Sequence, residues 1–314
     1  MTDQSPGADG AAQGPRVSVI IPHYNMPQAL ERCLASVKAQ AGAEHAEIIV
    51  VDNGSRISLD DVKARHSDVR FLSESQPGPG LARNTGVAAA RAPILAFIDA
   101  DCRAEAGWLE AAVSAIEATG PDAIVGGDVR IDFVDTRRLT DIEAYEAVFA
   151  YRQAMYINKQ GFSGTGNLAM AAPVHAAVGP FAGIDTAEDR DWGQRAAAAG
   201  YRTVYVEAMR VYHPARPDFA SLVVKWQRHI RHDWTAHVAA GRPRWRWQMR
   251  AALMLPSILV DGVRLMLSDR LSGLGNRWRG VTVLARLRWL RAGEMLRAMH
   301  ATGETGATFW NPGA

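Results

Sequence analysis

Short apolar runs alternate with stretches of helical periodicity from Val17 to Ile116, and that alternation restricts the chain to few architectures. Val17-Ser-Val-Ile-Ile21, Glu47-Ile-Ile-Val-Val51, Val69-Arg-Phe-Leu72 and Ile94-Leu-Ala-Phe-Ile98 read as strands. Pro27 suits the first turn of a helix, and Leu30, Cys33, Leu34 and Val37 follow at helical spacing. Leu81 to Arg91 reads as a second helix, and Trp108, Leu109, Ala112, Val113 and Ile116 mark a third. Strands and helices of this length in alternation build βαβ units and a mostly parallel sheet.

Open α/β sheets bind ligands beyond the carboxyl ends of their strands. Polar residues collect there: His23-Tyr-Asn25 after the first strand, Asp52 after the second, Asp99 and Asp101 after the fourth. Asn53 and Ser55 read equally as turn residues of Asp52-Asn-Gly-Ser55. The second half is less regular. Arg138 to Lys159 reads as one helix, and Gly164-Thr-Gly-Asn167 as a turn before an apolar run. Asp185 to Asp191 holds four carboxylates. Tyr201 to Val206 reads as a strand, with Tyr212-His-Pro214 on the loop beyond it.

Two carboxylates two residues apart at a strand end, Asp99 and Asp101, form a hard-oxygen site suited to Mg²⁺ or Mn²⁺ with phosphate oxygens and water. His213 is a candidate third ligand, because imidazole beside carboxylates suits Mn²⁺. Gly78-Pro-Gly80 with Arg83 imitates a dinucleotide-binding glycine motif but follows the wrong strand and has Arg at its last position. A guanidinium near a metal site suits a diphosphate better.

In order along the chain stand VSVIIPHYN, IIVVDNGS, PGLARNTGVAAA, ILAFIDAD, SGTGNLAM, AEDRDWGQRA and VYH. With this series the chain resembles the family 2 inverting glycosyltransferases, which have the GT-A fold, over roughly residues 16 to 230. The resemblance implies a nucleotide-sugar donor, a divalent metal and single displacement by an acceptor hydroxyl. It implies that Pro22, Tyr24 and Asn25 line the nucleoside pocket and that Asp52 accepts from the base, most often uracil. It places Arg83 at the base or diphosphate, Asp99 at the ribose and metal, and Asp101 and His213 on the metal. It makes Asp189, next to Glu188, the general base. His23 departs from the family, where a small polar residue commonly stands. Trp192 reads either as an apolar face for a sugar or acceptor or as helix core.

The 314 residues exceed one ordinary core and imply a large α/β domain with an appendage. The expected division is a lead-in over 1–15, a GT-A domain over 16–224, a helical, basic, Trp-rich extension over 225–300 and a tail over 301–314. With 48% hydrophobic and 22% charged residues, the chain is neither disordered throughout nor collagen-like. Cys33 and Cys102 cannot form a disulfide framework, and the polar N-terminus lacks the apolar core of a secretory signal, so a cytoplasmic location is expected.

The net charge of +2 conceals a division. Residues 1–224 carry a net −8, and residues 225–300 a net +11 with six tryptophans. Asp261 and Arg264 interrupt the apolar stretch 251–267 and Pro256 breaks it, which argues against a bilayer crossing. Interfacial helices on an anionic membrane surface fit instead, with packing on the catalytic domain or on a partner subunit as the other reading. No nucleic-acid-binding fold accompanies the charge. The expected function is transfer of a sugar to a lipid-linked or polysaccharide acceptor at the cytosolic membrane face. Two alternatives are a nucleotidyltransferase, against which the missing basic Gly-rich loop speaks, and a non-catalytic membrane scaffold, against which the intact acidic residues speak.

Overall fold

The computed structural model describes residues 14–40, 42–184 and 186–300. The expected tail, and all but Gly14 and Pro15 of the expected lead-in, lie outside them. Among the described residues eight strands form one sheet: β1 (Val17–His23), β2 (Ala46–Asp52), β3 (Arg70–Ser73), β4 (Ile94–Ile98), β5 (Arg103–Ala104), β6 (Ile124–Asp132), β7 (Asn167–Ala171) and β8 (Thr203–Pro214). Their order is β3-β2-β1-β4-β7-β6-β8-β5. The first four are parallel, as the alternation requires. Beyond β4 the sheet is mixed, because β7 runs antiparallel to both β4 and β6.

Helices Pro27–Lys38, Pro79–Ala89 and Trp108–Thr119 carry the βα connections. Val19, Leu30, Leu34, Phe97, Trp108 and Met170 belong to the main core against the sheet.

Three expectations change in the second half. The helix expected over 138–159 is two helices, Asp141–Phe149 and Gln153–Gln160. A capping box on Thr140 and Glu143 starts the first, and Arg152 leaves helical geometry before the second. Strand β6 was not foreseen, because two glycines interrupt its apolar run. A Cβ on Gly127 would stand 1.9 Å from the Met209 carbonyl oxygen, so this close approach to β8 requires glycine. Finally, His213 lies within β8 rather than on a loop beyond a shorter strand. The register between β6 and β8 shifts after Gly127, a local irregularity that hides the strand's continuation in the sequence.

The C-terminal region forms helices Phe219–Ala239, Arg244–Ala252, Ser257–Met266 and Leu274–Ala298. Val283, Leu284 and Leu287 pack with Ile142, Tyr145 and Leu222. Arg270 reaches back to Asp128 at 2.7 Å, and Asn276 accepts from the Leu139 amide at 3.2 Å. These helices therefore share apolar and polar contacts with the sheet domain. The tryptophans divide: Trp247 is buried and its indole donates to the Met295 carbonyl, Arg291 covers Trp226, and Trp245, Trp278 and Trp289 are exposed. Among the described residues no helix is long and apolar enough to cross a membrane.

Candidate active site

The carboxyl ends of β1, β2 and β4 open onto a cavity of about 640 Å³. Parallel register sets His23 of β1 opposite Asp52 of β2. His23 is buried, and its ring has three partners: Nδ1 lies 3.1 Å from Asp52 Oδ1 and 3.3 Å from Ser55 Oγ, and Nε2 accepts from the Met26 amide at 3.1 Å. This assigns the proton to Nδ1, which donates to Asp52. Burial holds the His23 pKa below its ordinary value, outweighing Asp52, so the ring is neutral at pH 7. The residue that departs from the family is thus a brace for Asp52.

Asn25 has a structural task. Its φ is 52°, and its side-chain oxygen accepts from the Arg56 and Ile57 amides at 2.7 and 3.2 Å. It ties the β1 loop to the β2 loop. Pro22 and Tyr24 line the cavity, whereas Asn25 and Asp52 are not among its lining residues. Asn53 does line it, and its amide also bonds the Glu74 and Gln76 carbonyls.

Arg83, only 3% exposed, joins the two acidic groups of the site. It donates to Asp99 at 2.7 Å and to Glu188 at 3.3 Å. Burial opposes its charge, but Asp99 and Glu188 prevail and hold its pKa above the ordinary value. The antiparallel register of β4 and β7 carries Asp99 past Gly166, where a Cβ would stand 2.3 Å from Asp99 Oδ2. The glycine of Gly164-Thr-Gly-Asn167 leaves room for this carboxylate.

The pairing of β5 with β8 sets Arg103 opposite Tyr212 and so draws His213 to Asp101. Their Nε2 and Oδ2 stand 3.2 Å apart. His213 Nδ1 lies 2.6 Å from the Pro214 carbonyl oxygen, which fixes a proton on Nδ1 and turns Nε2 toward Asp101. Burial opposes both charges; each group nonetheless favours the other's charged form, which holds the Asp101 pKa below and the His213 pKa above its ordinary value. Among the described residues no three His, Cys, Asp or Glu side chains converge on one metal position. Asp99 is held by Arg83, and its charge also reaches His213.

Asp189 lies in the first turn of helix Glu188–Ala198 and lines the cavity. Burial, then the Glu188 charge, push its pKa up to about 6, against the Arg190 amide donating to its Oδ1 at 2.7 Å. A carboxylate tuned near neutrality is suited to accept a proton. Trp192 is corrected to core. It is 2% exposed, packs on Phe181 and donates to the Gly179 carbonyl at 2.9 Å, so it offers no face to a sugar.

The profile of the family described as Glycosyl transferase family 2 matches residues 18–185, the span that holds Asp52, Arg83, Asp99 and Asp101. Glycosyltransferase AglE of Haloferax volcanii is 35% identical over 218 residues, covering 67% of this chain and 70% of that protein. The chain belongs to glycosyltransferase family 2. It is a glycosyltransferase enzyme. A second relative, the pre-mycofactocin glycosyltransferase of Mycobacterium tuberculosis, is 37% identical over 97 residues, 30% of this chain and 19% of that one.

Among solved structures, the mannosyltransferase PcManGT of Pyrobaculum calidifontis, in complex with GDP-Man and Mn²⁺, superposes with a TM-score of 0.54 at 18% identity. That match covers 96% of this chain and 80% of PcManGT. GalNAc-T7 with UDP, GalNAc and Mn²⁺ gives a TM-score of 0.50 at 16% identity, over 65% of this chain and 45% of that one. The glycosyltransferase thus has the GT-A fold.

Sequence reading missed one wall of its cavity. Tyr151, Arg152, Arg216, Lys225, Arg228 and His229 line it from the second half of the chain. Spacing alone carried a signal, since Lys225, Arg228 and His229 recur at i, i+3 and i+4.

Proposed function

We propose that this glycosyltransferase moves a hexosyl group from a nucleoside-diphosphate sugar, UDP-linked, to a hydroxyl of a lipid-linked or polysaccharide acceptor, with inversion. The observation that carries the reading is the placement of Asp189. Its carboxylate is held near neutrality in the same cavity as the Arg83–Asp99 pair and the Asp101–His213 pair. Asp189 takes the proton from the acceptor hydroxyl as that oxygen attacks the anomeric carbon from the face opposite the leaving group. Arg83 faces the donor end and offsets negative charge there. Asp52, held by His23, accepts from the base, while Pro22 and Tyr24 flank the nucleoside.

The donor set fits Mn²⁺ or Mg²⁺. Asp101 supplies a hard carboxylate oxygen and His213 its Nε2, and remaining positions fall to diphosphate oxygens and water. When bound, such a cation neutralises charge on the leaving diphosphate. The Mn²⁺ in both structural neighbours supports this choice. The test is a screen of nucleotide sugars with Mn²⁺, scored by nucleoside diphosphate release with and without chelation. Release that persists after exhaustive chelation would remove the metal, and the absence of release from every nucleotide sugar would remove the reading.

The C-terminal helices support peripheral attachment to an anionic membrane on its cytosolic face. In helix Ser257–Met266 the charged Asp261 points inward to Arg264 and Arg288, while Leu259, Val260 and Val263 are exposed. Arg242, Arg244 and Arg246 are exposed nearby in sequence, beside Trp245. Exposed apolar residues with arginines around them fit anionic headgroups over a hydrocarbon boundary.

A further inference from the structure

The cavity has a cationic wall that the family reading does not use. Lys225, Arg228 and His229 share one face of helix Phe219–Ala239, and all three line the cavity. Arg152, just before helix Gln153–Gln160, lines it too, and its buried Nε has no hydrogen-bond acceptor. An orphaned buried guanidinium nitrogen is costly and calls for a partner.

Nearby carboxylates are already engaged. Glu146 accepts from the Arg216 amide at 2.8 Å and from its guanidinium at 2.5 Å. Asp233 is held by Arg250 at 2.7 Å, and Asp101 pairs with His213. Among the described residues no carboxylate lies within ion-pair distance of Lys225, Arg228 or His229. The Lys225 ammonium instead lies 5.6 Å from the ring centre of Tyr151, and that ring lies 4.9 Å from the His213 ring. The cationic wall therefore stands one aromatic ring away from the Asp101–His213 pair. The crowding of positive charge is visible in the titrations, and Glu146, already paired with Arg216, offsets it only in part at Lys225. Burial, then Arg216, pull Lys225 down to about 8, and burial, then Lys225, pull His229 down to about 3.

We propose that Lys225, Arg228, His229 and Arg152 form a phosphate subsite for the acceptor, which is therefore a phosphate or diphosphate ester of a lipid. This rests on the donor and base assignments above and selects between the two acceptor classes named there. A phosphate ester could in principle come from the donor as well. The acceptor is favoured because Arg83, Asp101 and His213 already serve the donor end. The cationic helix also leads directly into the helices whose apolar side chains are exposed. A ligand with both a phosphate and a hydrocarbon chain meets both features; a polysaccharide meets neither.

The test uses the full chain in detergent and reads binding of farnesyl monophosphate, farnesol and UDP with Mn²⁺, without turnover. Wild type is expected to prefer the phosphate over the alcohol on the order of 30-fold, as two charge-assisted contacts would give. The variant K225Q/R228Q/H229Q should lose that preference and bind UDP within about twofold of wild type. The charge-keeping variant K225R/R228K should retain it, which separates charge from packing. Equal binding of phosphate and alcohol by wild type overturns the proposal. Loss of UDP binding with retained phosphate preference in the triple variant also overturns it and assigns the wall to the donor. Failure of wild type to consume any nucleotide sugar would instead sink the functional reading, and the binding preference would remain measurable by itself.

Discussion

Replacing Asp189 by Asn should stabilise the fold while stopping the reaction. Folding raises the Asp189 pKa from 3.8 to about 6, so the folded chain binds its proton more tightly than the unfolded chain. A raised carboxyl contributes no penalty below pH 3.8; the penalty grows as pH climbs and is complete above about 6. At about 1.36 kcal/mol per pKa unit, ionised Asp189 costs up to about 3 kcal/mol at pH 7.5. Its partial exposure to water lowers that figure, so a gain of about 1–3 kcal/mol is expected for Asp189→Asn. The amide keeps the acceptor for the Arg190 N–H but cannot take a proton, so transfer should fall by about 10²–10⁴-fold. The assay is urea unfolding at pH 7.5 and pH 4, beside transfer at pH 7.5. The stability gain should appear at pH 7.5 and vanish at pH 4. Transfer that survives together with the stability gain would show a buried acid that is not the base, and Glu188 or Asp191 would be tested next. Unchanged stability at both pH values would refute the environment argued for Asp189.

Three further outcomes can be measured. Asp101→Ala should abolish Mn²⁺-dependent binding of nucleoside diphosphate by calorimetry, and His213→Ala should weaken it less, since imidazole supplies no charge; the reverse order would refute the assignment. Gly166→Ala places a Cβ 2.3 Å from Asp99 Oδ2, so the carboxylate must shift and transfer should fall on the order of 10²-fold with the fold retained. Replacing Leu259, Val260 and Val263 by Ser should reduce co-sedimentation with anionic vesicles and leave thermal stability nearly unchanged, because all three are more than half exposed.

The first four parallel strands were legible because each is a compact apolar run with its own turn signal. The polar residues at their ends were legible for the same reason: a strand end fixes where Asp52, Asp99 and Asp101 point. β6 was hidden because Gly127 is demanded by β8 and Gly126 by Ile157 and Ser163, all distant in sequence. His213 was recognised from its motif yet assigned to a loop, since β8 continues through it by pairing with β6 beyond an irregularity in their register. Trp192 could not be resolved from sequence, because sugar platform and core demand the same apolar ring. Burial against Phe181 and His175 decides it. The role of His23 needed geometry: only the parallel register reveals Asp52 as its partner.

The tail shows why counting charges along a stretch can mislead. Asp261 and Arg264 count against a membrane-facing helix when each residue is charged to the stretch that contains it. The fold assigns Asp261 to the interior. It is 8% exposed and pairs with Arg288, which arrives from helix Leu274–Ala298, while Leu259 beside it is 76% exposed. The helix buries Leu265 as a helix packed in water does, yet Leu259, Val260 and Val263 stand exposed beside Arg264, so its outward face is apolar as well as basic. Exposed apolar area costs roughly 25 cal/mol per Å², so three such residues on one face favour a surface other than water against it. The net charge of +11 over residues 225–300 narrows what that surface is. An apolar protein partner would need no such charge. The anionic lipid surface proposed above would answer both requirements, and it would also carry the acceptor phosphate proposed for Lys225 and Arg228.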